Sequence, residues 1–173
     1  MLDLRPVPLD HPDAHGMIVE LQAFYTSRYG DGDATELRAE EFVAPGGYFV
    51  VAYAGGGPVA CGGWRAREGG EPGLRDGDAE IKRMYVRDGH RGRGYARQLL
   101  AHLEDTAAAA GRRRIVLETG TLQPEAMALY EREGYAPAEK FGVYRDEPGS
   151  RCYARPLPVD RRSARGEVGA RGR

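Results

Sequence analysis

The sequence predicts a single α/β (α+β) domain, on three observations. Segments with apolar residues at helical spacing alternate with short segments rich in Val, Ile and Tyr, in the order β-α-α-β-β-β-α-β-α-β-β. The breaks between them carry Gly and Pro, 25 and 11 in all, dispersed along the chain and not clustered. Over residues 79–110 a strand, a glycine-bearing turn and a helix follow one another without interruption, an order that builds an anion site.

Each element has its own justification. Residues 2–7 alternate apolar and polar positions and stop at Pro6 and Pro8, a short first strand. Asp10 with Pro12 marks a helix start, and Met17, Ile18, Leu21, Phe24 and Tyr25 share one face of a helix over residues 13–29. A Gly-Asp cluster at 30–33 precedes a second, short helix over residues 34–43, ended by Pro45, Gly46 and Gly47. Strands over 48–54 and 58–67 are joined by Gly55, Gly56 and Gly57, a linker suited to a hairpin. Residues 68–77 are polar and glycine-rich, an exposed loop.

The central strand, residues 79–86, carries Ile81, Met84, Tyr85 and Val86. Lys82 and Arg83 are adjacent charges that a flat strand sends to opposite faces; either a bulge or an exposed end accommodates them. Residues 87–90 turn the chain. Ala96, Leu99, Leu100, Leu103, Ala107 and Ala110 then line one face of a long helix that Gly111 terminates. Ile115, Val116 and Leu117 predict a strand over 114–118. Pro124 opens a compact helix over 123–133 that Gly134 closes. Residues 135–138 and 151–157 are the last strands, separated by a long loop with Phe141, Tyr144, Pro148 and Gly149. The domain accordingly spans residues 1–157. Residues 158–173 form a basic tail, with Arg161, Arg162, Arg165, Arg171 and Arg173 and almost nothing to bury, and disorder is expected there.

A chain of 173 residues buries a core without staples. The 25 Lys and Arg against 26 Asp and Glu leave a formal charge of -1, which argues against a nucleic-acid partner. The N-terminus lacks both the basic start and the apolar core of a signal peptide, and no apolar run reaches membrane length. A soluble, cytoplasmic protein with no membrane partner is expected. Cys61 and Cys152, without a CxxC and in strand-like surroundings, read as reduced, buried thiols. His11, His15, His90 and His102 lack metal-ligand spacing, so no metal is expected.

The chemistry lies where the central strand meets the long helix. The first N–H groups of a helix have no partner within it, and the helix dipole favours an anion there. Gly92 and Gly94 remove side chains that would keep a diphosphate from those donors, while Arg91 and Arg93 add positive charge. That makes a phosphate cradle without naming the phosphate. A nucleoside-triphosphate loop needs GxxxxGK[ST], which the chain lacks; a dinucleotide fingerprint needs a third glycine where Arg97 stands.

In this setting Arg91, Gly94 and Ala96 resemble the acetyl-CoA signature of the GCN5-related N-acetyltransferase (GNAT) superfamily, placed directly after EIKRMYV and before a Leu-rich helix. The stretch LETGTLQPEAMALYEREGY resembles the second signature of the same superfamily: Ala126, Leu129, Tyr130, Glu131, Gly134 and Tyr135 match it, while Gln123 stands where Asn is usual. The resemblance covers residues 4–157. It implies the GNAT acyl-CoA N-acyltransferase fold: a central mixed, mostly antiparallel twisted sheet of about six or seven strands, splayed at its middle and flanked by about four helices. It implies direct attack of a neutral primary amine on acetyl-CoA within a ternary complex.

Carried over by resemblance, Met84, Tyr85 and Val86 pair with the pantetheine, and Arg91, Gly92, Arg93, Gly94, Tyr95 and Ala96 surround the diphosphate. Gln123 and Tyr130 supply further cofactor contacts, and Tyr130 is the general acid. Glu80, eleven residues before Arg91, is the candidate base, with two competing readings: structural partner of Lys82 or an arginine, and ligand of the substrate ammonium. Glu118 and Thr119 either bind substrate or shape a local turn. His90 is read as an exposed turn residue or a phosphate contact. Trp64, Tyr25, Tyr29 and Tyr144 are core or acceptor-pocket aromatics. The acceptor is a small-molecule or peptide amine, and a homodimer stays open. The competing functions are a catalytically silent acyl-CoA-binding or sensing module and a nucleotide-binding protein using the same loop.

Overall fold

The structure, a computed structural model, describes residues 1–158. The disorder expected of the basic tail concerns residues 159–173, outside this range. The elements are β1 (Asp3–Pro6), α1 (Pro12–Tyr29), a 3-10 turn (Ala39–Phe42), β2 (Gly47–Ala54), β3 (Gly57–Arg67), β4 (Asp78–Val86), α2 (Tyr95–Ala109), β5 (Arg114–Gly120), α3 (Pro124–Arg132), β6 (Ala136–Ala138) and β7 (Ser150–Pro156). They form one seven-stranded sheet in the order β1-β2-β3-β4-β5-β7-β6. Every pair is antiparallel except β4 with β5.

Two expectations need correction. The about four helices are three α-helices and one 3-10 turn. Residues 34–38 do not become helical because tertiary bonds hold them extended: Arg83 Nη2 donates to Thr35 O at 3.0 Å, and Tyr144 Oη is 2.6 Å from the Ala34 N–H it receives. Locally, Thr35 N–H donates to Asp33 Oδ1 at 2.9 Å, the side-chain bond by which Asp diverts a chain from helix. The start of α1 is also capped differently, by His11 Nδ1, which accepts from Asp13 N–H at 3.1 Å in place of Asp10.

The sheet is covered on both faces, and β2 shows how. Val50 and Ala52 point into the cluster built by Leu99, Leu100 and Leu103 of α2, while Phe49 and Val51 point to Ala14 and Met17 of α1. Cys61 and Cys152 are free and buried, and burial pushes their thiols up to about 12 and about 11. Among the described residues no helix is long and apolar enough to cross a membrane.

Two irregularities position the site. The β3–β4 register shifts by one residue: Cys61 pairs with Tyr85 but Gly63 with Lys82, so Arg83 and Met84 leave the ladder opposite Gly62. Arg83 there has φ of 56°, and both Lys82 and Arg83 are buried. The bulge is therefore the accommodation adopted, and the glycine opposite it leaves little room for a side chain, since a Cβ on Gly62 would lie 3.3 Å from Met84 Cα. The second irregularity is a split. β4 and β5 pair only at Asp78↔Arg114, Ala79↔Ile115 and Glu80↔Val116, held at that end by Arg114, whose Nη2 lies 2.7 Å from buried Asp78 Oδ2. Beyond Glu80 the strands diverge.

Candidate active site

The divergence opens a cleft of about 350 Å³. Lys82, Arg83, Met84, Tyr85 and Val86 line one wall, Leu117, Glu118 and Thr119 the other, and α3 contributes Gln123 at its start and Tyr130 within it. At the outer end lies the loop between β4 and α2. Gly89, Gly92 and Gly94 there have φ of 82°, 75° and 78°, values that L side chains adopt at a cost, and Gly94 caps α2 in this conformation. A Cβ on Gly92 or Gly94 would meet nothing within 4 Å, so the loop surface is open to an incoming group. Between residues 91 and 97 the main-chain N–H groups have no backbone partner among the described residues; the first to find one is Gln98, which donates to Gly94 O at 3.1 Å.

Arg91 is held in place by Val86 O at 3.1 Å, by Asp88 at 3.0 Å and by the Phe24 ring, whose centroid is 5.4 Å from its guanidinium carbon. Arg93 donates to Gly89 O at 3.3 Å. Tyr95 and Ala96 line the cleft, as does His90, whose buried Nδ1 has no partner among the described residues. His90 is thus no exposed turn residue. The donors, the glycine-cleared surface and the surrounding cations fit a diphosphate.

Further in, Tyr130 is 7% exposed and packs against Tyr135 and Tyr153, with ring centroids 5.7 and 6.1 Å away. Desolvation pushes its hydroxyl up to about 12, so it stays a proton donor throughout the neutral range. Gln123 Nε2 donates to Tyr29 Oη at 3.0 Å, an engagement that keeps its amide at the mouth of the cleft. Thr119 also lines the cleft, with a buried hydroxyl that lacks a protein partner.

The two carboxylates behind the split differ. Glu80 Oε1 accepts from Arg65 Nε at 2.9 Å and from Arg67 Nη1 at 2.8 Å, and its side chain is 5% exposed. Of its three readings this geometry favours structural pairing. Glu118 has no ion pair within 4 Å among the described residues. Burial pushes it up to about 7, against the pull of Lys82 and with a further push from Asp33 and Glu80. Asp33, Lys82 and Arg83 were not site candidates from sequence, although the adjacent charges within an apolar strand were the available signal. Asp33 is shared by Arg83 and by Lys82 at 3.5 Å, and the two cations hold its carboxyl below the usual range despite burial.

Comparison with known proteins adds an independent line. A sequence profile of the Acetyltransferase (GNAT) family matches residues 14–135, more than half of the chain. An IAA acetyltransferase of Azospirillum brasilense is 34% identical over 141 residues, covering 82% of this chain and 88% of the relative. Among solved structures, a Klebsiella pneumoniae protein described as an acyl-CoA N-acyltransferase superimposes with a TM-score of 0.74 at 27% identity, over 91% of this chain and 98% of that one. An acetyltransferase from Thermus thermophilus does so with a TM-score of 0.64 at 26% identity, over 91% and 97%.

Proposed function

The chain belongs to the acetyltransferase (GNAT) family, and from that premise we propose that it transfers the acetyl group of acetyl-CoA to a primary amine within a ternary complex. One observation carries the proposal: the split between β4 and β5 makes a continuous cleft from the glycine cradle to Tyr130 and Glu118. In this reading the N–H groups of residues 91–97, with Arg91, Arg93 and His90, hold the diphosphate. The free edges of Met84, Tyr85 and Val86 take the pantetheine as a neighbouring strand, and Gln123 contacts it from α3. Bound there, acetyl-CoA supplies an acetyl group activated as a thioester.

Three groups serve the reaction. Glu118 takes the proton from the attacking nitrogen, a role suited to a carboxyl pushed up to about 7, which is half ionised at neutral pH yet basic enough to accept a proton. We assign this role to Glu118 in place of Glu80, because Glu118 lines the cleft and Glu80 does not, its Oε1 being held by two guanidinium groups. The N–H of Met84, at the bulge where the residue has no partner in the β3 register, is assigned to the developing oxyanion. As the carbon–sulfur bond breaks, Tyr130 donates its proton to the departing sulfur and recovers one from solvent. Its elevated pKa is no obstacle, because the same desolvation that raises Tyr130 raises a thiol expelled beside it. One proton leaves nitrogen and one reaches sulfur, so the products are an amide and CoA.

The test is CoA release with a panel of amines, comparing wild type with Tyr130→Phe, alongside calorimetry of acetyl-CoA binding. Tight binding with turnover of some amine, slowed in the variant, supports the transferase. Tight binding with no turnover of any amine supports a binding or sensing module instead.

A further inference from the structure

A second cavity, of about 320 Å³, lies behind the split, lined by Thr35, Arg67, Phe141, Val143 and Arg145 among others. Lys82 and Glu118 line both this cavity and the cofactor cleft, and so form the seam between them. A group entering from this side reaches Glu118 without passing the cradle.

The charges around it decide what fits. Four cations and four carboxylates line the cavity, but several cancel. Arg65 is bonded to Glu41 at 2.8 Å and to Glu80 at 2.9 Å; Arg67 is bonded to Glu80 at 2.8 Å and to Glu71 at 3.1 Å. Lys82 is different. Its side chain is 8% exposed, yet its ammonium has only long contacts, 3.5 Å to Asp33 and 3.9 Å to Glu80, and the nearer oxygen is already held more closely by Arg83. A buried cation so weakly partnered is costly unless an anion arrives. Arg145, at the rim, has among the described residues no ion pair but the one with exposed Asp146, at 4.0 Å. The remaining carboxylates are exposed Glu36 and Glu118 itself, which must be free to accept a proton.

We propose that this second cavity is the acceptor site and takes a small primary amine with an anionic group close to its nitrogen, an α-amino acid in simplest form. Lys82 grips the anion, Arg145 assists from the rim, and Glu118 faces the nitrogen. The assignment rests on the transferase reading above. A purely cationic acceptor such as a polyamine meets an unneutralised ammonium at the seam and is disfavoured.

The experiment compares matched acceptors, a free amino acid, its amide and its decarboxylated amine, by CoA release. The acid is expected to exceed both partners in kcat/KM by about tenfold or more. Lys82→Met should bring the ratio near one, and Arg145→Ala, on the surface and safe for folding, should reduce it severalfold. Equal or better turnover of the amide, the amine or a polyamine overturns the proposal while leaving the transferase intact, as does a ratio unchanged in both variants. If acetyl-CoA binds and no acceptor of any class is turned over, the transferase reading fails and this one with it.

Discussion

Arg83 reaches from the bulge of β4 to the carboxylate of Asp33, on the segment after α1, and so ties the wall of the cleft to the segment that closes over it. The Arg83 side chain is 4% exposed and that of Asp33 15%. Removing one partner leaves the other charge buried, which typically costs about 3–5 kcal/mol. Asp33→Ala should therefore destabilise the domain by an amount within that range in chemical denaturation, the more so because Lys82 loses a neighbour as well. A loss under about 1 kcal/mol would mean that the segment is not held by this pair.

Glu118 gives the clearest pH signature. Its proton must be absent for it to act, so kcat at saturating acceptor should rise through about pH 7 and level off above it. Stability runs the other way. The folded carboxyl holds its proton up to about 7 while the unfolded one releases it near 4.5, so the unfolded state binds fewer protons between those values and stability falls as pH rises through that window. Glu118→Gln should lose the inflection and about 10²–10⁴ in rate. Above pH 7 it should also be more stable than wild type by about 1 kcal/mol, a figure kept small because the group is partly solvated.

Glu80→Gln should behave differently. It weakens the bonds from Arg65 and Arg67 and should lower stability by about 2 kcal/mol, but the pH–rate inflection should survive, moved to lower pH because the Glu80 charge no longer helps to raise Glu118. An inflection that vanishes with Glu80→Gln and survives Glu118→Gln would return the base to Glu80.

The contrast between these carboxylates shows what the sequence made legible. The cradle could be read because its parts are contiguous: a strand, three glycines and a helix start within a few residues. The order of elements was legible for the same reason, since periodicity is local. Glu80 was a candidate base from its distance to Arg91, beside a structural and a substrate-binding reading, and the cross-strand register that sets Arg65 opposite it is not written in the local sequence. Glu118 sits in an ordinary strand end; burial does most to perturb it, and the charges that act beside burial, those of Lys82, Asp33 and Glu80, are remote in sequence. Residues 34–38 read as helix because propensity does not know that Arg83 and Tyr144 will bond their backbone.

Tyr130→Phe tests the acid. The ring is packed and its removal of one oxygen leaves no void, so folding and acetyl-CoA affinity should be nearly unchanged. The rate should fall about 10²-fold or more, in kcat and in kcat/KM together, since the hydroxyl is needed only as sulfur departs. A variant with wild-type kcat would make this tyrosine a packing residue.

Gly94→Glu tests the cradle. The position has φ of 78°, so any side chain is strained there, and a Cβ would project into space that is otherwise open. A carboxylate at the start of α2 occupies the anion position and repels a diphosphate. Acetyl-CoA binding should fall below detection in calorimetry. Gly94→Ala separates strain from blockage: it carries the same backbone cost, about 1 kcal/mol, without the charge, and should weaken binding by about tenfold or less. Because nothing packs against either substituent, melting temperatures should move by only a few degrees. Retained affinity in Gly94→Glu at a normal melting temperature would place the diphosphate elsewhere on the molecule.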